Sequence, residues 1–487
     1  MTIPKQVKSI LEKLEKAGFE AFVVGGCVRD LLRKEKPKDW DIASNAKPEQ
    51  VRKIFSKSFL DNKFGTVSVL TNSKDETLKE IEITPYRIES RYTDKRHPDI
   101  IFWAKTIEQD LGRRDFTVNA LALKESGKKQ IIIDPFEGKK DLGKKIIRAV
   151  GNPRQRFSED ALRLMRAIRF TITLGDKWKI EPKTKKAIKE SAPLLKMISK
   201  ERIRDELRKI INSERASEGV ELLRKTGLLK YIIPELEEGY KISQNKHHIY
   251  GCYDHYLRSL DYAAKKNYSE HVRLASLFHD IGKPRTKVGK GADATFYNHE
   301  VVGAKMTAQI LNRLRYSKKD IEKIVKLVRY HLFYYNVGEV SESSVRRLVR
   351  KVGPENMEEL LQVRYADRIG SGCPKAEPYK LRHLKYVIEK VSKDPISVKM
   401  IKASGKDVME ILKIEPGPRV GQVLDILLGE VLEDPKKNKR KYLLARIKDL
   451  GRLKEKELEE LTQKARKERE EIEMKQDVMV KKKYWVT

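Results

Sequence analysis

The sequence predicts an α/β domain with a mixed sheet at its amino-terminal end, followed by a long all-α region. Three observations lead to this prediction. Strand and helix patterns alternate over about the first 150 residues, whereas helical spacing dominates from residue 157 onward and strand patterns largely disappear. With 487 residues, the chain is also too long for a single hydrophobic core, so three or four domains are expected.

The first elements are predicted as a helix, a strand and a second helix. Apolar residues spaced i, i+3, i+4 and i+7 between residues 4 and 17 predict an amphipathic helix that ends at Gly18. The segment "FEAFVV" is then expected to form a strand, and another helix should begin directly after Gly25 and Gly26.

Four further segments of this amino-terminal part have the alternation or the apolar content of strands. They are "DWDIAS", "TVSVLT", "KEIEITPYR" and "QIIIDPF". Together with the first strand they predict an α/β unit with a mixed sheet.

The chain is predicted to consist of five parts. The head spans residues 1–150, and a helical neck spans 151–240. A histidine-bearing helical region follows over 241–375 and a helical tail over 376–452. Residues 453–487 are almost purely charged, which predicts either an exposed helix supported by ion pairs or a tail that is helical only when bound.

The charge of the chain favours a nucleic-acid partner. It contains 105 Lys and Arg against 71 Asp and Glu, a formal net charge of +34. A surplus of this size repels itself in a compact state, so a polyanion is the natural partner. A solvated basic surface is the plainer alternative. With 39% hydrophobic residues, the chain can still build folded cores.

Cysteine usage and hydropathy predict a soluble cytoplasmic protein without a membrane partner. The three cysteines, Cys27, Cys252 and Cys373, lie far apart, which fits a reducing compartment and argues against thiolate zinc sites. The first 18 residues are charged throughout and lack the apolar core of a signal peptide. No apolar run approaches the roughly 18 to 20 residues that a membrane span needs.

The segment "VVGGCVRDLLRKEKPKDWDIA", residues 23–43, predicts a phosphate-binding turn. Gly25 and Gly26, between a strand and a helix, would let the backbone approach an anion closely, and the helix terminus would offer N–H donors. Arg29 adds a cationic fork for phosphate oxygens. Taken alone, the pattern also fits an ordinary glycine turn with a surface arginine.

Asp39 and Asp41 follow this turn at the predicted start of the next strand. Residues i and i+2 of a strand project from the same face, so the two carboxylates would converge. Their hard oxygens suit Mg²⁺, which takes waters and substrate phosphates as its other ligands. A phosphate-binding turn that leads into two such aspartates predicts nucleotidyl transfer. Glu82, in "EIEIT", either adds a third carboxylate or belongs to a polar strand face.

The segment "SEDALRLMRAIRF" predicts a basic helix with Ser158 as its N-cap. Asp160, Arg163, Arg166 and Arg169 follow at three-residue steps, which places them on neighbouring parts of one face. Taken alone, this pattern describes an ordinary amphipathic helix.

Asp160 and Arg163 would nevertheless allow bases to be selected without a template. A carboxylate only accepts hydrogen bonds and a guanidinium only donates them. Cytosine and adenine both present an exocyclic amino donor beside a ring-nitrogen acceptor, whereas guanine and uracil present a carbonyl and a ring N–H there. The pair is therefore predicted to admit C and A and to reject G and U.

These motifs resemble the signature of the class II tRNA nucleotidyltransferases, which include CCA-adding enzymes, and of bacterial poly(A) polymerases, members of the polymerase-β-like superfamily. The resemblance runs over residues 1 to about 230 through "GGCVRDLL", "DWDIA", "DLGRRDFTVNALAL", "IIIDPFEGKKDL", "RFSEDALRLMRAIRF" and "SKERIRDEL". It implies a polymerase-β-like head that adds CCA to the 3′ end of tRNA from CTP and ATP by two-metal phosphoryl transfer with Mg²⁺.

The resemblance also implies roles for single residues. Asp39 and Asp41 would be catalytic and hold the metal. The implied nucleotide contacts are those of Gly26, Arg29, Arg114, Asp160, Arg163, Arg166 and Arg169, to which the glycine turn adds Gly25. Members restricted to CC tend to have a shortened loop between the strand "EIEIT" and "RRDF", and the loop is full length here. An A-adding enzyme and a poly(A) polymerase remain alternatives.

Residues 247–370 resemble the HD phosphohydrolase superfamily. The resemblance rests on "YDHYLRSLD", "LFHDIGKP", "FYNHEVVGA", "VRYHLF" and "RYADR". It implies a divalent transition metal on a basic ligand set, with two more histidines where some members bind a second metal; the set is His255, His279, Asp280 and Asp367, and the additions are His299 and His331. The region either hydrolyses phosphates at RNA ends or is a helical body that retains these residues and packs tRNA.

The predicted partners are the acceptor arm and 3′ end of tRNA, together with ATP and CTP. Two rival interpretations are an HD phosphohydrolase whose head only positions RNA and a non-catalytic RNA-binding module. Binding alone needs neither a metal pair nor complementarity to base edges. The combination of Asp39 and Asp41 with Asp160 and Arg163 therefore counts against both rivals.

Overall fold

The computed structural model describes residues 2–61, 65–90, 100–126, 129–244, 249–392 and 398–486. The chain divides into two compact units. Unit 1 comprises Met1–Leu332 and Glu358–Ala376, and unit 2 comprises Phe333–Met357 and Glu377–Thr487.

The head of unit 1 is built on a mixed sheet, as predicted. Its strands are β1 (Ala21–Val24), β2 (Asp41–Ser44), β3 (Ser58–Leu60), β4 (Val67–Leu70), β5 (Glu80–Pro85), β6 (Arg87–Ser90), β7 (Ile100–Trp103), β8 (Ala122–Ser126) and β9 (Lys129–Ile133). Seven of them form one sheet in the order β3-β4-β5-β2-β1-β8-β9, in which only β2 and β5 run parallel. The strands β6 and β7 form a separate antiparallel pair.

Six α-helices lie in the described part of the head, and the first confirms the amphipathic helix expected over residues 4–17. They are α1 (Lys5–Lys16), α2 (Gly26–Leu32), α3 (Pro48–Ile54), α4 (Glu76–Lys79), α5 (Ile107–Gly112) and α6 (Gly138–Lys144). The predicted strands are confirmed as β1, β2, β4, β5 and β9, whereas β3, β6, β7 and β8 were not predicted. Residues 91–99, in the loop that bears on the CC-only question, lie outside the described residues.

Both faces of the head sheet are buried. In β1, Val23 packs into one hydrophobic cluster with α1, whereas Phe22 and Val24 pack into a second cluster on the other face. This alternation is the period of two that a strand imposes on its side chains. It explains why all four residues of β1 are buried and why the strand appears continuously apolar in the sequence.

The neck is helical, as predicted. Its helices are α7 (Pro153–Glu159), α8 (Arg163–Thr173), α9 (Pro182–Ser191), α10 (Lys200–Ile211), α11 (Ala216–Lys225), α12 (Leu229–Ile232) and α13 (Pro234–Glu237). Two short parallel strands, β10 (Ile146–Ile147) and β11 (Lys179–Ile180), pair at the junction with the head.

The prediction that the basic helix begins with Ser158 as its N-cap is wrong. Ser158 lies inside α7, and its hydroxyl donates to the carbonyl of Gln155 rather than capping a helix. The backbone is extended at Asp160, which separates α7 from α8. The Asp160 carboxylate accepts from the backbone N–H of Leu162 at 3.0 Å, so this side chain satisfies a free donor where α8 begins. Asp160 therefore precedes the helix that carries the three arginines.

The helices around the histidines are α14 (Cys252–Lys265), α15 (Glu270–Phe278), α16 (Lys283–Thr286), α17 (His299–Arg313), α18 (Lys318–Tyr330) and α20 (Met357–Gly370). The helices of unit 2 are α19 (Glu342–Val352), α21 (Tyr379–Ser392), α22 (Gly405–Leu412), α23 (Pro418–Glu433), α24 (Arg440–Gly451) and α25 (Glu455–Tyr484). A second core links α22, α23, α24 and the start of α25. Within the described part of the chain, no helix is long and apolar enough to cross a membrane.

Candidate active site

One cavity of about 1270 Å³ lies between the head and the neck, both of which belong to unit 1. All ten residues predicted as catalytic or nucleotide-binding line it: Gly25, Gly26, Arg29, Asp39, Asp41, Arg114, Asp160, Arg163, Arg166 and Arg169. They lie up to 144 residues apart in the chain, from Gly25 to Arg169, so the fold, and not local spacing, brings them together.

The glycine turn leaves room for a neighbouring side chain. Gly25 has a φ of +81°, and a Cβ there would lie 2.8 Å from Nη1 of Arg114 and 3.6 Å from a carboxylate oxygen of Asp41. Any other residue would be strained and would displace Arg114. The turn therefore allows the arginine to lie beside the aspartate.

The two predicted metal-binding aspartates occupy different backbone positions. Asp41 is the first residue of β2, whereas Asp39 lies just before the strand, so the expectation that both belong to the strand is wrong for Asp39. Between them Trp40 is buried in the head core. This anchor turns both neighbours toward the other side of the chain, and both carboxylates line the cavity.

The electrostatics of these carboxylates favour a cation. Burial and the charge of Asp39 raise the pKa of Asp41 to about 6, although Arg114 partly offsets this. Glu82 lies directly opposite Asp41 in the parallel register of β2 and β5, although it does not line the cavity. Partial desolvation and repulsion from Asp41 raise its pKa to about 7. This position favours the third-carboxylate interpretation of Glu82.

Two arginines of the head are held at the cavity by hydrogen bonds. Arg29 is nearly buried, and it donates to the carboxylate of Asp30 at 2.9 Å and to the side-chain oxygen of Asn119 at 2.7 Å. Arg114 forms an ion pair of 3.4 Å with the fully buried Asp110. The Nε atom of Arg114 is buried without a hydrogen-bond partner among the described residues. Such a donor is satisfied when an anion binds in the cavity.

The predicted base-selecting pair is held by partners that the sequence did not reveal. Asp160 forms a two-point contact with Arg202 of α10, at 3.3 and 2.9 Å. Arg163 donates to the carboxylate of Glu159 at 2.7 Å and to the backbone carbonyls of Arg156 and Arg113 at 3.2 and 3.0 Å. Both side chains are therefore fixed before any base enters.

Arg166 and Arg169 have acidic partners as well. Arg166 contacts the buried Asp115 at 2.6 and 2.7 Å. Burial opposes the charge on Asp115, but Arg166 and Asn119 outweigh it and hold its pKa at about 2. Arg169 lies 3.1 Å from a carboxylate oxygen of Glu206.

Three of these partners, Asp115, Arg202 and Glu206, lie in motifs that the sequence did show, "RRDF" and "SKERIRDEL". Their pairing with the neck arginines and with Asp160 depends on contacts between separate elements, which spacing along the chain does not reveal.

A second cluster of titratable side chains lies among the helices around the histidines. Two groups of potential ligand atoms, each within 4.8 Å of one another, share Asp280. The first consists of His255, His279, Asp280 and Asp367, and the second of Asp280, His299 and His331. All six are buried, so the structure brings together every residue predicted for this site.

Three of these histidines are oriented in the same way. The Nδ1 atoms of His279, His299 and His331 each lie 2.7 or 2.8 Å from the backbone carbonyl three residues earlier. If Nδ1 carries the proton, each Nε2 is left as an acceptor, and each Nε2 lies 3.2 to 3.5 Å from a carboxylate oxygen of Asp280. This is the arrangement of a metal-binding histidine.

A proton or a cation must lie between two of these rings. The Nε2 atoms of His255 and His279 are 2.8 Å apart, a distance at which two lone pairs repel. Burial opposes a charge on His279, yet the carboxylates of Asp280 and Asp367 raise its pKa to about 10. The donor set of imidazoles and carboxylates suits a divalent transition metal.

Three family models match successive parts of the chain. The Poly A polymerase head domain matches residues 21–148, the model described as "Probable RNA and SrmB- binding site of polymerase A" matches 178–239, and the HD domain matches 252–371.

Curated relatives extend the match. The CCA-adding enzyme of Enterococcus faecalis is 31% identical over 448 residues, which cover 91% of this chain and 96% of that enzyme. The chain belongs to the CCA-adding enzyme family. The predicted resemblance is thereby confirmed. The CCA-adding enzyme of Limosilactobacillus reuteri is 44% identical over 231 residues, and there the alignment covers only about half of either protein, 47% of this chain and 55% of the relative.

Solved structures of the CCA-adding enzyme family share the fold. A CCA-adding enzyme of Bacillus stearothermophilus in complex with CTP matches with a TM-score of 0.60 and 27% identity over 92% of this chain and 98% of that one. The Thermotoga maritima CCA-adding enzyme complexed with tRNA_CCA matches with a TM-score of 0.51 at 19% identity over 91% of this chain and 95% of that one, which shows the fold alone. The polymerase-type head with its helical neck, HD body and tail is thus confirmed.

Proposed function

We propose that this chain is a template-independent tRNA nucleotidyltransferase that adds CCA to the 3′ end of tRNA from CTP and ATP. The observation that carries the proposal is the single cavity in which the carboxylates and arginines of the head meet Asp160 and Arg163 of the neck. The head residues of this cavity suit a triphosphate, and the neck residues Asp160 and Arg163 suit the edge of a base.

Asp39 and Asp41 are the proposed ligands of Mg²⁺. The donor set fits, because two hard carboxylates line the cavity and the charge of Asp39 raises the pKa of Asp41. When bound, Mg²⁺ supplies charge neutralisation for the triphosphate and activation of the RNA 3′-hydroxyl. Binding of the triphosphate and selection of the base are carried out by side chains of the protein.

Arg29 and Arg114 bind the triphosphate. Both guanidinium groups line the cavity, and the buried Nε of Arg114 offers a donor that no described residue uses. Their partners Asn119 and Asp110 hold the two guanidinium groups in place at the cavity. The arginines therefore orient the α-phosphate toward the RNA terminus and stabilise the departing pyrophosphate.

Asp160 and Arg163 select the base. The carboxylate accepts from the exocyclic amino group of cytosine or adenine, and the guanidinium donates to the adjacent ring nitrogen. Arg166 and Arg169 extend the cationic wall of the same cavity. Guanine or uracil would place a carbonyl oxygen against a carboxylate that cannot donate, so neither is accepted.

The RNA partner is the acceptor arm of tRNA. The surplus of 34 positive charges provides phosphate contacts that are independent of sequence, and shape provides the rest. A reaction that consumes CTP and ATP and matures tRNA belongs in the cytoplasm.

Sequencing of the products tests this function. Purified protein, Mg²⁺ and a tRNA that ends at its discriminator base are incubated with CTP, ATP or both. We expect C-C with CTP alone and a single further A when ATP is present. Addition of A only to a tRNA that already ends in CC would instead identify an A-adding enzyme, long A tails a poly(A) polymerase, and no addition would refute the proposal.

The histidine cluster supports a second activity, a metal-dependent phosphohydrolase at RNA ends. The supporting observation is the set of six buried ligands that share Asp280. Removal of a 3′-phosphate or a 2′,3′-cyclic phosphate would provide the free 3′-hydroxyl that nucleotide addition requires.

Metal analysis and hydrolysis assays test this second activity. We expect the purified protein to contain a divalent transition metal that His279→Ala loses, together with hydrolysis of an RNA with a 2′,3′-cyclic phosphate end. If the protein contains the metal but does not hydrolyse such ends, the metal site has a structural role and the second activity is refuted.

A further inference from the structure

We propose that Arg202 is a positioning residue for Asp160 and determines how strictly the active site rejects guanine and uracil. The inference rests on the proposed function and concerns a residue to which the sequence patterns assigned no role.

The contact between the two side chains has a defined geometry. Nη1 of Arg202 donates to Oδ1 of Asp160 at 3.3 Å, and Nη2 donates to Oδ2 at 2.9 Å. A two-point contact of this kind fixes the plane of the carboxylate as well as its distance. The backbone N–H of Leu162 donates to Oδ1 at 3.0 Å and adds a third point.

These three contacts leave one acceptor position. A carboxylate has about four acceptor sites, and three on Asp160 are occupied within the described part of the chain. The remaining site is on Oδ2, and Asp160 lines the cavity. One acceptor at a fixed place matches one donor, the exocyclic amino group of cytosine or adenine.

Loss of Arg202 would remove this restriction. A carboxylate that is held only by Leu162 can rotate and shift along the edge of the base. It would then reach the ring N–H of guanine or uracil, which lies next to their carbonyl group, and accept from it. The site would lose its discrimination without losing its ability to bind a base.

Arg202 is not required for the packing of α10. The buried face of that helix is formed by Ile203, Leu207, Ile210 and Ile211, together with Glu206. Among the described residues, the hydrogen bonds and the ion pair of the Arg202 guanidinium all go to Asp160. Arg163 is held by Glu159 and two backbone carbonyls, so its position does not depend on Arg202.

The same helix provides a matched control. Arg208 also forms an ion pair, with Glu270 at 2.8 Å, but it does not line the cavity. Arg208→Met therefore removes a comparable charge and ion pair from α10 without touching Asp160. Arg202→Lys keeps the positive charge but cannot form the planar two-point contact with the Asp160 carboxylate.

The test is the selectivity of single-nucleotide addition. The values of kcat/KM are measured for CTP and UTP on tRNA without CCA and for ATP and GTP on tRNA that ends in CC. We expect Arg202→Met to lower the CTP/UTP and ATP/GTP ratios about tenfold or more, the scale of one two-point base contact. Arg202→Lys should recover part of the selectivity, and Arg208→Met should match the wild type.

Other outcomes would overturn the proposal. An equal loss for all four nucleotides in Arg202→Met would show a general structural role, and unchanged ratios would show no role in selection. A wild-type enzyme that adds neither C nor A would refute the proposed function and this inference with it. Wild-type activity with unchanged ratios in Arg202→Met would refute the inference alone.

Discussion

Every predicted nucleotide-contacting side chain in this cavity has a partner of opposite charge from the protein itself. Arg166 and Asp115 are the clearest example, because Asp115 is buried and also accepts from the backbone N–H of Phe116 and from Asn119. Such a carboxylate is costly to bury and is tolerated only with these donors. The pair orients the arginine and stabilises the junction between head and neck.

Replacement of Asp115 by Asn should destabilise the protein in a pH-dependent way. The pKa of Asp115 is about 2 in the folded protein against an ordinary value of 3.8. Because the folded value is the lower one, its stabilisation of about 2 kcal/mol is complete above about pH 4 and is lost as the pH falls toward 2. Urea unfolding of both proteins between about pH 7 and pH 3 measures this. A stability difference that stays constant over that range would contradict the assignment.

The site residues themselves could be predicted from the sequence, whereas their charged partners could not. Nine of the ten head and neck residues lie in glycine turns, paired aspartates or regularly spaced charged positions, which are local patterns, and Arg114 was predicted from the family resemblance alone. Their partners were not predicted, since Arg202 is 42 residues from Asp160 and Asp115 is 51 residues from Arg166. Pairing over such separations depends on the packing of α8 against the head and against α10, which a single sequence does not specify.

At the level of elements, the break between α7 and α8 is where the pattern misled. The segment "RFSEDALRLMRAIRF" contains neither Gly nor Pro, so it predicts one uninterrupted helix from its capping residue. The extended backbone at Asp160 instead places its carboxylate outside the helix and within reach of Arg202. The contact between Asp160 and Arg202 is a tertiary interaction that local helix propensity does not reveal.

Helix α6 offers a test of packing at this scale. A Cβ on Gly138 would lie 2.2 Å from the carbonyl oxygen of Thr117, whereas one on Gly143 would meet nothing within 4 Å. Gly138→Ala should therefore force a backbone shift and lower stability by about 1 to 3 kcal/mol. Gly143→Ala, on the same helix, should be neutral or stabilising by about 0.5 kcal/mol.

Thermal unfolding of the two alanine variants distinguishes these cases. We expect a lower first unfolding transition for Gly138→Ala alone. Equal transitions in the two variants would show that α6 moves freely relative to Thr117 and that the contact does not constrain the fold.

For the molecule as a whole, the excess of positive charge should govern the binding of RNA. If the 34 surplus charges serve phosphate contacts, affinity for tRNA should fall by at least about tenfold between about 50 and 200 mM salt. Filter binding at several salt concentrations measures this. An affinity that is independent of salt would contradict an electrostatic role and favour the solvated-surface alternative.

The two clusters of functional side chains should also be separable within one molecule. His279 lies in the histidine cluster and does not line the head–neck cavity. His279→Ala should therefore leave the addition of CCA within about twofold of the wild type while it removes bound transition metal and any phosphohydrolase activity. Metal analysis and addition assays on the same preparation check this, and loss of both activities would contradict two independent sites.

We propose that the carboxylates of the head–neck cavity perform the nucleotide addition. The most direct measurement compares the wild type and Asp39→Ala with CTP, ATP, Mg²⁺ and a tRNA that lacks CCA, together with the affinity of each protein for that tRNA. We expect complete CCA on the tRNA with the wild type and no addition with Asp39→Ala, at equal tRNA affinity. Addition of CCA by Asp39→Ala at the wild-type rate would contradict it.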